Sequence, residues 1–329
     1  MLRISSTPSN FIHSLNILLF VTLMGHSSLG ATPLDPGQTL PGMGTIAYIN
    51  ESDGRDAIFI RDASGSDVIF RCDYENEIVL TPSVSSDGKF ITFLVDNGRD
   101  QKAVHILGPI EKVNGKWQAD DYLIIMVRGG AWPVIHDSKS VYLSMPDQTS
   151  LVMSGSSNIY LISAEKIQQI TKNQGLSSHI WPLINPEGNK LIYREIPLPD
   201  KNGDVVEPIK SILFDLQSGA SEAHFVNQFV YMEQWTEQGE ILFSSKERDE
   251  NGNRIYALYN PETMETREIY RNKSRQGSLS NEARFLATIR PMPEGGADFD
   301  IFVTDLLSKV EINLTQSPKE SESIIGWIK

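Results

Sequence analysis

The chain has 329 residues, 40% hydrophobic and 22% charged, ordinary values for a protein that buries a sizeable core, and they exclude long disorder. Its 29 basic and 42 acidic residues leave a net charge of −13, a balance that repels nucleic acid and anionic membrane surfaces. Cys72 is the only cysteine, so no intramolecular disulfide and no Cys-x-x-Cys metal or redox motif can form.

In chain order, the first feature is a targeting segment. Arg3 precedes a short apolar run from Ile17 to Met24, and Ser28-Leu29-Gly30 places small residues at −3 and −1 of a cleavage site before Ala31. The eight-residue run is too short to span a bilayer, which needs roughly 20 residues. Residues 1–30 are therefore expected to be a signal peptide, and the Pro-rich stretch 31–43 an extended lead-in. No later stretch is long and apolar enough to make a membrane span in the mature chain.

From residue 44 onward a repeat dominates. Residues 82–93 read PSVSSDGKFITF, 132–143 WPVIHDSKSVYL and 182–193 PLINPEGNKLIY, with weaker copies at 235–243 and 278–288. The turn position falls at Asp87, Asp137, Glu187, Gln238 and Glu282, at spacings of 50, 50, 51 and 44 residues. Each copy is a short apolar strand, a tight turn and an alternating strand. The turn acids read as structural acceptors for backbone N–H groups. Gly88, Gly188 and Gly239 tolerate positive φ, whereas Ser138 and Ala283 replace that glycine, so those two turns are expected to differ.

A second strand follows each copy, at 57–62, 103–108, 158–163, 211–216, 254–259 and 300–305, and further short strands appear at 67–70, 122–125, 167–171 and 310–315. Short strands punctuated by Gly, Asn, Asp and Pro indicate an all-β protein. There are six such second strands but five turn units. The start at residue 44 lacks a first strand, while residues 324–329, IIGWIK, supply one with nothing after it. Pairing the C-terminal strand with the first blade closes a ring, and about 49 residues per repeat over 44–329 give six blades. The expected fold is a six-bladed β-propeller, with Trp132, Trp181, Trp235 and Trp327 packing blade against blade.

The unit P-x-x-S-x-D-G-K-x-I-x-F at 82–93, the D-I-F-V-x-D strand at 300–305 and Asn-Leu-Thr at 313–315 resemble the WD-repeat-like propeller of TolB-like proteins, over essentially all of 44–329. The resemblance implies an exported propeller, periplasmic in a diderm bacterium and otherwise secreted, that makes protein contacts. With only 31–43 ahead of the first strand, the reading is of a propeller without the α/β domain that precedes it in TolB.

No constellation for catalysis stands out. There is no G-x-S-x-G elbow, Walker or dinucleotide glycine pattern, or H-E-x-x-H. His105, His136, His179 and His224 fall in four successive repeats at non-equivalent positions, so no metal or other cofactor is expected. Asp249-x-Asn251-x-Asn253 looks like half a calcium loop, but the glycine is misplaced, and Asn251-Gly252 reads as a hairpin turn.

The loops between second and third strands should share one face with the blade-to-blade connections. That face would gather Asp53, Arg55, Asp56, Arg99, Asp100, Asp249, Glu250 and Arg254, a charged rim suited to docking a basic protein or peptide. The Trp117 insertion reads as an extended hairpin. The sequence thus points to a monomeric, non-catalytic propeller that binds a protein or peptide partner in an envelope complex. The competing reading is a polysaccharide lyase or glycosidase-type enzyme, which would need His, Arg or carboxylate side chains converging at the channel mouth.

Overall fold

The computed structural model describes residues 39–98, 101–146, 156–173, 177–200, 202–205, 207–291, 299–316 and 322–329. The expected signal peptide, most of the lead-in, Arg99 and Asp100 lie outside these residues.

The described chain is all β, built from four-stranded antiparallel sheets. Blade one contains β1 (Thr45–Ser52), β2 (Arg55–Asp62) and β3 (Gly65–Arg71). Blade two contains β4 (Ile78–Val84), β5 (Ile91–Asp96) and β6 (Gln101–Leu107), then a separate hairpin, β7 (Glu111–Val113) and β8 (Lys116–Gln118), and the outer strand β9 (Asp121–Arg128). Blade three is β10 (Ala131–Asp137), β11 (Ser140–Pro146), β12 (Ser157–Ser163) and β13 (Ile167–Gln169). Blade four is β14 (Ser177–Ile184), β15 (Lys190–Pro197), β16 (Lys210–Asp215) and β17 (Ser221–His224). Blade five is β18 (Val230–Trp235), β19 (Ile241–Arg248), β20 (Arg254–Tyr259) and β21 (Thr266–Asn272). Blade six is β22 (Gly277–Leu279), β23 (Phe285–Pro291), β24 (Phe299–Asp305) and β25 (Glu311–Asn313).

The last strand, β26 (Ser323–Ile328), completes blade one by pairing antiparallel with β1. The strands β26, β4, β10, β14, β18 and β22 each touch the next one around, and β22 touches β26, so six innermost strands ring a channel. The closure expected from the strand count is present.

Apolar side chains fill the seams between blades. Ile46, Phe285, Val303 and Trp327 share a cluster between blades six and one, and Leu40 and Met43 of the lead-in bury into it. Ile58, Ile91, Phe93 and Cys72 pack between blades one and two. Cys72 is 1% exposed, and burial pushes its thiol up to about 12, which leaves it unreactive at neutral pH.

The repeat turns carry out the structural work expected of them. Asp87 Oδ1 accepts from Lys89 N at 3.1 Å, and Asp137 Oδ1 from Lys139 N at 2.8 Å. One expectation is corrected. Ala283 keeps the conformation of the glycine it replaces, with φ 55° against 70° at Gly88 and 71° at Gly188. Its N–H donates to Ser280 O at 2.8 Å, as Gly88 N–H does to Ser85 O at 2.9 Å. The hydrogen bonds that close the turn therefore outweigh the cost of an alanine at positive φ.

The hairpin β7–β8 straps blade two to blade one. Trp117 Nε1 donates to Asp62 Oδ2 at 2.9 Å, and Lys112 Nζ reaches the same oxygen at 2.5 Å. The Trp117 ring thus serves an internal contact.

Candidate functional site

In an antiparallel meander, turns between second and third strands lie at the same end of the blade as the connections into the next blade. This end is called the first face here. Asp53 is exposed in the β1–β2 turn at φ 54° and pairs with Arg71 at 2.9 Å. Arg55 and Asp56 do not pair with each other: Arg55 Nη1 donates to Asp73 O at 3.1 Å, and Asp56 accepts from Val79 N at 2.8 Å. Burial raises the Asp56 carboxyl above its ordinary value despite that hydrogen bond.

Asp249 caps the β19–β20 turn by accepting from Asn251 N at 2.9 Å and Asn253 N at 2.8 Å, and its carboxyl is held below the usual range chiefly by the Asn253 N–H. The half-calcium-loop pattern is thus a capped hairpin. Glu250 is exposed at its tip. Asp53, Arg55 and Asp56 therefore sit on blade one, and Asp249, Glu250 and Arg254 on blade five, two blades that do not adjoin.

Arg254 differs from the others. It is 8% exposed, its guanidinium lies 4.5 Å from the Tyr231 ring centroid, and Nη1 donates to Arg275 O at 2.6 Å. It belongs to a cluster at the channel mouth. Arg248 donates to Gly252 O at 2.7 Å and Ser274 O at 3.2 Å. Arg194, fully buried, donates to Val230 O and stacks 4.3 Å from the Phe229 centroid. Lys246 Nζ stands 5.0 Å from the same ring.

Glu233, half-buried on β18, is the carboxylate of this cluster. It accepts from Ser244 Oγ at 2.7 Å and from the Gly277 N–H. Burial pushes it up to about 7, against the lowering effect of those donors and of Arg254.

An aromatic row borders the cluster. Trp132 and Trp181, on β10 and β14, are half-buried with ring centroids 5.3 Å apart. Trp181 lies 6.4 Å from Phe229 and 5.9 Å from Tyr231, and those two rings are 5.2 Å apart. Both tryptophans have φ 55°, as Thr81 has φ 45° at the matching place in blade two, and the strand register shifts at each. Each precedes a proline, and the bulge turns the residue out of the strand pleat. All four tryptophans expected to pack blade against blade do so: Trp327 and Trp235 join the apolar seams, and Trp132 and Trp181 meet each other across blades three and four. The signal that sets Trp132 and Trp181 apart is the Trp-Pro dipeptide, shared by those two alone. Arg194 and Glu233 gave no sequence signal, because strand facing near a bulge does not follow from alternation.

A second polar group lies at the seam of blades three and four. His179 Nδ1 sits 2.8 Å from Thr171 Oγ1, and Nε2 sits 3.2 Å from Glu195 Oε2. The order hydroxyl, imidazole, carboxylate resembles a nucleophile–base–orienter set, but Thr171 is buried, and its Oγ1 also accepts from Ile159 N and donates to Asn158 Oδ1. That hydroxyl fastens blade three and reaches no substrate. Among the described residues, no group of three or more His, Cys, Asp or Glu is placed to hold a metal ion. A groove of about 490 Å³ lies between Tyr122 and Leu123 on the outer strand of blade two and the blade-three turns that carry Lys139 and Lys166.

No family model matches the sequence, and no curated protein does. Among solved structures, the chain is similar to TolB from Acinetobacter baumannii, with a TM-score of 0.60 and 16% identity over 86% of this chain and 67% of that one. It is similar to a putative TolB from Agrobacterium tumefaciens, with a TM-score of 0.52 and 14% identity over 86% of this chain and 98% of that one. It is also similar to an oligogalacturonate lyase in complex with manganese, with a TM-score of 0.53 and 11% identity over 80% and 75%. The fold is a TolB-like six-bladed propeller. At these identities the likeness is one of fold. Among the described residues, no helix is long and apolar enough to cross a membrane.

Proposed function

We propose that this is an exported propeller that docks a protein or peptide partner on its first face, at the channel mouth, without catalysing a reaction. The carrying observation is the half-buried row Trp132–Trp181–Phe229–Tyr231, which spans three blades beside Arg194 and Lys246. Trp, Tyr and Arg in a recessed, rigid setting are the residues that dominate protein-interface energetics. The rim residues Asp53, Arg55, Asp56, Arg99, Asp100, Asp249 and Glu250 would set orientation and association rate, and Arg254 would brace the mouth from below. Export rests on the apolar run Ile17–Met24 and the small residues before Ala31. No cofactor is invoked, and the protein acts as a monomer.

A second reading draws on Glu233. A carboxyl raised to about 7 among arginines suits a general base acting on an acidic sugar chain. The hydrogen bonds from Ser244 and Gly277 that occupy the Glu233 carboxylate favour docking. Capture from an extract of the source cells, with full-length wild type and Trp181→Ala compared, tests the proposal. A stoichiometric protein captured by the wild type and lost with the variant supports it. Ultraviolet-absorbing unsaturated product from tri-galacturonate, abolished by Glu233→Gln, would replace it with the lyase reading.

A further inference from the structure

Among the described residues, the channel mouth gathers more guanidinium groups than carboxylates. Arg248, Arg254 and Arg275 lie close enough to repel one another, and burial followed by that repulsion holds Arg248 and Arg275 below the usual guanidinium range. Arg194 is pushed down to about 10 by burial. The carboxylate set among them, Glu233, carries only part of a charge near neutrality. Like charges are costly to assemble in a partly desolvated setting unless an anion joins them. Here a chain of net charge −13 brings Arg248, Arg254 and Arg275 together.

Two of these side chains also keep donors in reserve. Arg194 is fully buried, and its Nε and Nη1 meet no acceptor among the described residues. Arg254, 8% exposed, has its Nε in the same condition. Arg248, by contrast, is exposed, and Arg275 is half-buried, so the cluster grades from buried charge to reachable donors.

We infer that this cluster receives one carboxylate, the side chain of an Asp or Glu in a bound peptide segment whose apolar neighbour lies on Phe229 and Trp181. The inference rests on the docking reading of the first face and names the chemistry of the partner there. A guanidinium offers a planar fork of donors that matches a carboxylate. The −13 net charge, with Asp249 and Glu250 on the same blade, repels a polyanion within a Debye length of about 8–10 Å. A single carboxylate on an otherwise apolar segment escapes most of that repulsion.

The test is calorimetric titration of the full chain with acetyl-Phe-Glu-Phe-amide and with its Gln isostere. The Glu peptide should bind at least tenfold tighter than the Gln peptide. Arg248→Gln, with its melting temperature measured alongside because Arg248 also donates to Gly252 O and Ser274 O, should weaken the Glu peptide at least fivefold, and Arg254→Gln should weaken it further wherever that variant folds. Equal affinity for both peptides, indifference to Arg248→Gln, or no binding at millimolar concentrations would each overturn the inference. Displacement of the peptide by inorganic phosphate or tri-galacturonate at a lower concentration than free glutarate would overturn it in favour of a phosphate or uronate site. A protein partner captured equally by wild type and Arg248→Gln would leave the docking reading standing and remove this subsite alone.

Discussion

Trp327 on β26 is paired with Ile46 on β1, and its indole Nε1 donates to the Ser278 carbonyl of blade six, 3.1 Å away. One side chain thus joins the two ends of the ring. Deleting residues 324–329 should open it and lower the melting temperature by more than 10 °C, read by circular dichroism. Trp327→Ala should cost about 3–5 kcal/mol, the usual range for truncating a buried aromatic. A melting temperature unaffected by the deletion would contradict the shared first blade.

Closure also depends on close backbone approach. Gly326 has φ 156°, and a Cβ there would stand 2.8 Å from Val84 Cγ2 on the neighbouring innermost strand. Gly326→Ala should destabilise by about 1–3 kcal/mol, as overpacking does in a filled core. Urea unfolding measures this, and Val84→Ala in the same chain should recover part of the loss by removing the obstructing methyl groups.

The ring was legible because its signal is periodic. The turn unit recurs about every 49 residues, and its mismatch with the second strands located the closing strand at 324–329. The mouth was less legible. Arg254 opens the strand read at 254–259, yet its burial is set by Tyr231 and by the Arg275 carbonyl, both remote in sequence. Trp132 and Trp181 carry alternating patterns that suit packing, and only the bulge before each proline turns them outward. Asp249 was read well because its partners, Asn251 and Asn253, are local.

Glu233 should make stability depend on pH. Its folded value, about 7, lies above the ordinary 4.5, so folding favours the protonated acid. The contribution is complete below about pH 4.5 and falls away as pH rises through 7. After allowance for its half-buried position, the change should be about 1–2 kcal/mol between pH 4.5 and 8. Glu233→Gln mimics the neutral acid and should lose this dependence, so urea midpoints of the two proteins should lie closest near pH 4.5 and diverge, with the variant the more stable, as pH rises through 7. Parallel profiles would show that burial does not govern this group.

Asp62 should behave in the opposite sense. Burial alone would raise its carboxyl, but the Lys112 ammonium, Ser64 and the Trp117 N–H hold it well below the usual range. Its contribution is present above about pH 4 and is lost as pH falls through the depressed folded value. Asp62→Asn should cost about 1–2 kcal/mol at neutral pH. It should also shift the fluorescence of Trp117, whose indole loses its carboxylate partner. An unchanged spectrum would mean that the β7–β8 hairpin is fastened by other contacts.

The central claim is that the aromatic and cationic mouth of the first face binds a protein or peptide. Capture from source-cell extract with the full chain, followed by cross-link mapping, tests it most directly. The account predicts one stoichiometric partner, cross-linked to Lys246 at the mouth, and lost with Trp181→Ala while the melting temperature holds. The same partner held equally by Trp181→Ala and cross-linked only to Lys139 and Lys166 beside the outer groove would contradict it.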